Sequence, residues 1–133
     1  MYLNLLEKQE QKDFLELARY SMGLNGEYKK EEEVMLTNYK FECHLTDYTA
    51  YRQEDIEQII NTLSKSTQKI KKIIFVELFG ILLADGEVCD NEAKLVDTLT
   101  IKFSLEEYEV ARIQRWVQAM NDIVQEGYEL ISR

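Results

Sequence analysis

The stretch that decides the fold of this chain is Ala84-Asp85-Gly86-Glu87-Val88-Cys89-Asp90-Asn91-Glu92. On both sides of it, apolar residues recur every three or four positions, a spacing typical of amphipathic helices. Gly86 suits the end of the first helix, because a residue with a side chain costs about 1–2 kcal/mol in the left-handed conformation. The stretch is therefore predicted to form a sharp turn between two helices.

A weaker copy of this turn lies 60 residues earlier, at Leu24-Asn25-Gly26-Glu27-Tyr28-Lys29-Lys30-Glu31-Glu32. At that offset Asn25 falls on Asp85, Gly26 on Gly86 and Glu32 on Glu92. Apolar positions of the flanking helices correspond at the same offset: Phe14/Ile74, Leu15/Phe75, Ala18/Leu78, Met22/Leu82, Met35/Leu95, Leu36/Val96 and Phe41/Ile101. The pattern indicates an internal duplication, with repeat one over about 10–64 and repeat two over about 65–130.

Composition limits the class of protein. The length of 133 residues suits one domain, and the absence of proline favours helix throughout. A net charge of −9 opposes binding to nucleic acid, which requires a basic surface. The chain has no apolar stretch long enough to span a bilayer, no basic leader segment and two cysteines that make no disulfide framework. We therefore expect a cytoplasmic protein without direct membrane insertion.

The predicted fold is an all-α, single-domain bundle of about six to seven helices over 1–133. After a short helix near the N-terminus, the hydrophobic periodicity predicts helices over about 8–24, 30–43, 54–64 and 90–102. Ser66 is the expected N-cap of the helix before the turn at Gly86. Ser104 and Glu107 match a capping box, and the helix that they begin is expected to end near Gly127. Trp116 is expected to be a buried or half-buried anchor of that helix.

Two interpretations of the acidic turn remain open. In the first, the acids are structural: Cys89 takes the N-cap position, and Glu92 is the N3 glutamate of a capping box. In the second, Asp85, Glu87 and Glu92 hold a divalent cation. Asp85 lies at a helix C-terminus, which disfavours its charge, and carboxylates are the ligands that Ca²⁺ and Mg²⁺ prefer.

The segment Ile81-Leu82-Leu83-Ala84-Asp85-Gly86-Glu87-Val88-Cys89-Asp90-Asn91-Glu92 resembles the signature of the tellurite-resistance TerB-like family. In both, an apolar helix is followed by Ala-Asp-Gly and by a glutamate at the start of the next helix. The resemblance covers roughly residues 10–125. It implies pseudo-twofold symmetry, acids from both turns on one surface, and divalent-cation binding by Asp85 and Glu92, with Glu32 next. Asn25 and Cys89 depart from the family pattern, and the first departure weakens a symmetric metal site.

These observations lead to three functional hypotheses. The first is a non-enzymatic interaction or sensing module, similar to TerB-like stress-response proteins, whose acidic face binds Ca²⁺ or Mg²⁺. The second is a metal-independent helical scaffold that binds another protein through its acidic face or through its tyrosines, namely Tyr28, Tyr39, Tyr48, Tyr51 and Tyr108. The third is a hydrolase with paired carboxylates. The first two predict no enzyme activity, and the sequence leaves the oligomeric state and the partner open.

Overall fold

The computed structural model describes residues 1–26, 28–84 and 86–132. Within these residues the chain forms six α-helices and two short 3₁₀ turns, and it contains no strand. The 3₁₀ turns are Leu3–Leu5 and Gln53–Asp55. The helices are α1 (Lys8–Met22), α2 (Lys30–Glu42), α3 (Ile56–Leu63), α4 (Gln68–Leu82), α5 (Asp90–Lys102) and α6 (Glu107–Ile131). The predicted all-α class is confirmed.

Helices α1 and α4 form the centre of the bundle. Helix α1 packs against α2, α3 and α4, and α4 also packs against α6. Both central helices carry fully buried large side chains, among them Phe14 and Leu17 on α1 and Ile74 and Phe75 on α4. The ring of Phe75 meets that of Phe103 edge to face at 5.8 Å, which ties the end of α5 to the core.

Helices α2 and α5 end in the same way. His44 and Ser104 each have a positive φ, of 56° and 54°. The backbone N–H of the next residue, Leu45 or Leu105, donates to a carbonyl five residues earlier. This pattern is the Schellman motif, which satisfies carbonyls that have no partner within the helix. A lysine from another helix also reaches each C-cap carbonyl: Lys8 donates to that of Cys43, and Lys71 donates to that of Phe103 at 3.0 Å.

Backbone features therefore recur at the predicted offset of 60 residues. The positive φ of His44 recurs at Ser104, and that of Gly26 (90°) recurs at Gly86 (92°). Each of the two glycines lies four residues beyond the last residue of a central helix, Met22 or Leu82. The left-handed conformation predicted for Gly86 is confirmed, but the helix ends before it, with Leu83 as its C-cap. The recurrence agrees with an internal duplication, while the pseudo-twofold relation between the two units stays a prediction.

Three predicted helix boundaries are wrong. Ser104 does not cap α6, because it ends α5; the N-cap is Glu106, whose N–H donates to the Glu109 carboxylate at 3.2 Å. Ser66 does not cap α4, since the hydroxyl of its neighbour Thr67 accepts from the N–H of Ile70 at 3.3 Å. Helix α6 continues through Gly127 to Ile131. Glycine in a helix interior costs only about 1 kcal/mol relative to alanine, which is too little to stop a long helix.

The segment between α2 and α3 is attached to α1 by one buried carboxylate. Glu16 is 0% exposed. It accepts hydrogen bonds from the Tyr48 hydroxyl, from the backbone N–H groups of Tyr51 and Arg52 at 3.1 Å, and from the Gln53 side chain at 2.8 Å. Burial by itself would raise the pKa of Glu16, but these hydrogen bonds bring it below its ordinary value.

A second buried acid lies one turn away on α1. Asp13 pairs with Arg52, with Nη1 and Oδ1 separated by 3.1 Å. Burial raises the pKa of Asp13 despite the guanidinium, since desolvation disfavours its charged form. Arg52 therefore fixes the same segment to α1 through its side chain as well as its backbone.

No helix in the described part of the chain has the combined length and apolarity needed to cross a bilayer.

Candidate functional site

The two glycine turns lie against each other. The side-chain amide of Asn91, just after the second turn, donates to the backbone carbonyl of Leu24 in the first turn at 3.1 Å. Between the turns is a cavity of about 310 Å³, which we call the inter-turn cleft. It is lined by Asn25, Lys29, Glu31, Glu32, Met35, Ile81, Leu82, Ala84 and Glu92. Two stretches 60 residues apart in sequence thus contribute to one site.

Glu32 and Glu92 enter the cleft from equivalent positions on α2 and α5. Each is the third residue of its helix, and its carboxylate accepts the backbone N–H of the N-cap residue. The distance is 3.0 Å from Lys29 to Glu32 and 2.9 Å from Cys89 to Glu92. Both glutamates therefore stabilise a helix N-terminus. The structural interpretation of Glu92 is confirmed in this respect, since Cys89 is the N-cap of α5.

Of the other two predicted metal ligands, only Glu87 is among the described residues. Glu87 is exposed and is not among the residues that line the cleft. Asp85 lies outside the described residues. Within the part of the chain that the structure describes, no three His, Cys, Asp or Glu side chains are grouped so that they could hold a metal ion. Lys29 also lines the cleft, and its positive charge competes with a cation for the carboxylates.

The floor of the cleft is apolar. Ile81 and Leu82, at the end of α4, are buried core residues, and Met35 of α2 packs partly buried against the same core. The charged residues come from the first turns of α2 and α5, because acids are favourable at helix N-termini. An apolar floor with carboxylates beside it suits an apolar group that is flanked by a positive charge.

Three of the five tyrosines proposed for an interface are structural. Tyr39 packs edge to face on Phe14 at 5.7 Å, Tyr48 donates to Glu16, and Tyr28 stacks under the guanidinium of Arg19 at 3.7 Å. Tyr51 and Tyr108 are exposed. Tyrosines off the main apolar stripe can thus still be anchored, through ring contacts in Tyr28 and Tyr39 and through the hydroxyl group in Tyr48.

The buried cysteine is not set up as a nucleophile. Cys43 is fully buried, and desolvation together with the charge of Glu42 raises the pKa of its thiol to about 11. The thiolate is the reactive form, and it is scarce at neutral pH under these conditions. The adjacent His44 is exposed, so this pair does not form a Cys–His site.

The sequence patterns missed the buried charged residues Asp13, Glu16 and Lys71. Each lies beside the apolar stripe of a central helix. Helices α1 and α4 are covered on several sides, so residues outside the stripe are also buried. A signal was available on α4, which holds the buried Glu77 as well as Lys71, because this helix is apolar over much of its circumference and a charge there needs a partner.

Comparisons with known proteins found no matching family model and no significant match among curated proteins or solved structures. The resemblance to the TerB-like family therefore rests on the sequence pattern alone, namely the motif around Gly86 and the repeat at an offset of 60 residues.

Proposed function

We propose that this protein is a non-enzymatic interaction module whose inter-turn cleft receives a short segment of another protein. The observation that carries the proposal is the composition of the cleft. Helix α4 supplies an apolar floor at Ile81 and Leu82, and the first turns of α2 and α5 supply the carboxylates of Glu32 and Glu92.

The size and charge of the cleft define the segment that would fit. A volume of about 310 Å³ is at the small end of ligand sites, which span roughly 300–1,000 Å³. One apolar side chain can fill the floor, and a lysine or arginine next to it in the partner can pair with the carboxylates. The net charge of −9 adds a longer-range attraction for a basic partner.

The test starts from selection of binding peptides. A library of short random peptides is displayed and selected on the purified protein, and the bound sequences are mapped by NMR chemical shifts. We expect an apolar residue beside a basic one, with shifts concentrated at Met35, Ile81 and their neighbours. Glu32→Lys should weaken the selected peptides at least about tenfold, because it replaces an attractive charge by a repulsive one.

Glu57→Lys is the matched control for this experiment. Glu57 is exposed in the first turn of α3. Its replacement by lysine therefore reverses a glutamate charge at a helix N-terminus, as Glu32→Lys does, but outside the cleft. Equal loss of peptide binding in both variants would show that the loss comes from the change in net charge and not from the cleft. Shifts away from the cleft would refute the proposed site.

A second candidate function is cation sensing at the same cleft, in line with the resemblance to TerB-like proteins. The observation in its favour is that Glu32 and Glu92, carboxylates from the two turns, line one cavity. The decisive measurement is calorimetric titration of the metal-free protein with Ca²⁺, Mg²⁺ and Mn²⁺, beside an Asp85→Asn variant. Saturable binding that is lost in the variant would support a cation-dependent module. Absence of heat with all three ions would favour metal-independent binding. No observation on the described residues favours the hydrolase hypothesis.

A further inference from the structure

Helix α6 changes character halfway along its length. In its first half, Val110 and Val117 are buried against the bundle. In its second half, large apolar side chains remain exposed. Val124, Tyr128 and Ile131 continue the face of Val110 and Val117, whereas Ile123 and Leu130 lie with Trp116 on the adjoining face of the helix. With Trp116 these residues form what we call the α6 stripe: Trp116, Ile123, Val124, Tyr128, Leu130 and Ile131. Trp116, predicted as a core or half-buried anchor, is 45% exposed.

The α6 stripe begins beside an apolar groove. The groove is lined by Leu5, Ile73, Val76 and Ile113, and its charged members are Lys69 and Lys72. Ile113 belongs to α6 itself, and Met120 and Gly127 follow it at intervals of seven residues, which places all three on one face of the helix. The groove and the stripe are therefore parts of one continuous apolar surface.

We propose that this surface pairs with its counterpart on a second copy of the chain, through antiparallel packing of two α6 helices about a twofold axis near Ile123. In this arrangement Trp116 of each copy lies opposite Leu130 of the other. The end of each α6 then comes within about one helical turn of the other copy's groove. A surface that contacts its own copy in this way forms a closed dimer.

The distribution of charge along α6 favours a second copy of the chain as the partner, and it favours antiparallel over parallel packing. From residue 116 to 132, α6 carries Asp122, Glu126 and Glu129 and no basic residue. Earlier in the helix, Arg112 and Arg115 follow Glu107 and Glu109. Lys69 and Lys72 line the groove, and Lys72 already pairs with Glu109 at 3.4 Å, so Arg112, Arg115 and Lys69 give this region its net positive charge. Antiparallel pairing brings the acidic half of one copy to the basic region of the other, whereas parallel pairing sets acids beside acids. The acids lie on the polar face of α6, so they act through space within a Debye length of about 8–10 Å. The helix dipoles favour the same direction.

The exposed apolar area of the α6 stripe is large enough for a dimer interface. The exposed parts of the six stripe residues amount to roughly 600 Å² per copy, so a symmetric pair would bury about 1,200 Å², the lower limit for stable interfaces. Monomeric proteins rarely leave contiguous apolar patches larger than a few hundred Å² uncovered. Gly127 lies within this face and allows two backbones to approach closely, which compensates for its poor helix propensity.

The experiment measures self-association directly. Sedimentation equilibrium from micromolar to near-millimolar concentration should give a monomer–dimer equilibrium for the unmodified chain. Trp116 is the only tryptophan, so its fluorescence emission should shift to the blue as the dimer forms. Ile123→Glu should weaken the dimer at least about tenfold, because it places a charge in the centre of the interface. Ile101→Glu is the matched control, since Ile101 on α5 is 77% exposed, against 67% for Ile123. The Ile101→Glu protein should dimerise as strongly as the unmodified chain.

A charge exchange tests the direction of pairing. Arg115→Glu should weaken the dimer roughly threefold, as expected for an exposed charge pair, and adding Glu129→Lys should restore it, because Glu129 of the second copy lies opposite residue 117. A chain that stays monomeric throughout, or a dimer that survives Ile123→Glu, would overturn the proposal. So would a Trp116 blue shift that occurs only with lipid vesicles while the protein sediments as a monomer, because the stripe would then bind a membrane surface.

Discussion

The acids of α1 and the acids of the inter-turn cleft have different roles. Glu16 is fully buried, and four groups of the segment 48–53 donate to its two oxygens. Glu32 and Glu92 each accept one backbone N–H, from a residue three positions earlier, and both line an open cavity. Both oxygens of the Glu16 carboxylate are engaged in hydrogen bonds that join α1 to the segment 48–53. The other two carboxylates retain oxygen lone pairs that can face a ligand. The donors around a carboxylate, more than its place in an acidic run, decide whether it is structural or available.

The largest expected effect is the loss of stability when Glu16 is replaced. Glu16→Gln replaces one carboxylate oxygen by an NH₂ group, which cannot accept, so the backbone N–H of either Tyr51 or Arg52 loses its acceptor. Leaving buried donors without acceptors typically costs 1–3 kcal/mol, so we expect a loss near the top of that range, about 3 kcal/mol. Urea denaturation measures it. The control is Asp97→Asn on the exposed face of α5, which should change stability by less than about 0.5 kcal/mol. Equal losses in the two variants would show that Glu16 is not a structural centre.

Gly86→Val tests the backbone that forms the second turn. Its φ of 92° is unfavourable for a β-branched residue, although a Cβ there would meet no atom within 4 Å. We expect a loss of about 1–2 kcal/mol from backbone strain alone. Gly23→Ala is the control at a helix end with φ −91°, and it should be neutral or slightly stabilising. Unchanged thermal unfolding of Gly86→Val would contradict the left-handed assignment.

Lowering the pH should remove part of the stabilisation that Glu16 provides. The pKa of Glu16 is lower in the folded protein than its ordinary value of 4.5. Its stabilisation is therefore present above about pH 4.5 and is lost as the pH falls through the folded-state pKa. The difference in unfolding free energy between the unmodified protein and Glu16→Gln should be smaller at about pH 3 than at about pH 7. The raised pKa of Asp13, caused mainly by burial, acts in the opposite direction, but the charge of Glu16 is the smallest of its causes, so the substitution changes this contribution little. A difference that stays constant with pH would show that Glu16 is not bound as a carboxylate.

The smallest change is expected for Glu92→Gln. A glutamine at N3 can still accept the N–H of Cys89, so only the favourable interaction of the charge with the helix dipole is lost, about 0.3–1 kcal/mol. Peptide binding at the cleft should fall more clearly than stability, because the carboxylate is the group offered to a basic partner. Differential scanning calorimetry beside peptide titration separates the two effects. A loss of stability as large as that of Glu16→Gln would remove the distinction between the two sets of acids.

Local patterns predicted much of the helical framework. The helices around Gly26 and Gly86 begin and end within two residues of their expected limits, because apolar periodicity and a left-handed glycine act over a single turn. The capping role of Glu92 was also accessible from its spacing. The boundary at Ser104 was not, since the same residue suits both a helix start and a left-handed C-terminus. The carbonyl of Thr100, which accepts from Leu105, settled which one formed.

The sequence by itself determined the all-helical class, the two glycine turns and the acidic character of the residues that follow them. Those features follow from interactions between residues within about four positions of one another, which any helix-forming chain makes locally. The tertiary structure decided that Leu24 and Asn91 meet, that Glu16 becomes a buried acceptor for a distant segment, and that the second half of α6 leaves the core. Each of these depends on which helices pack together, and burial and hydrogen bonding between residues far apart in sequence appear in no local pattern.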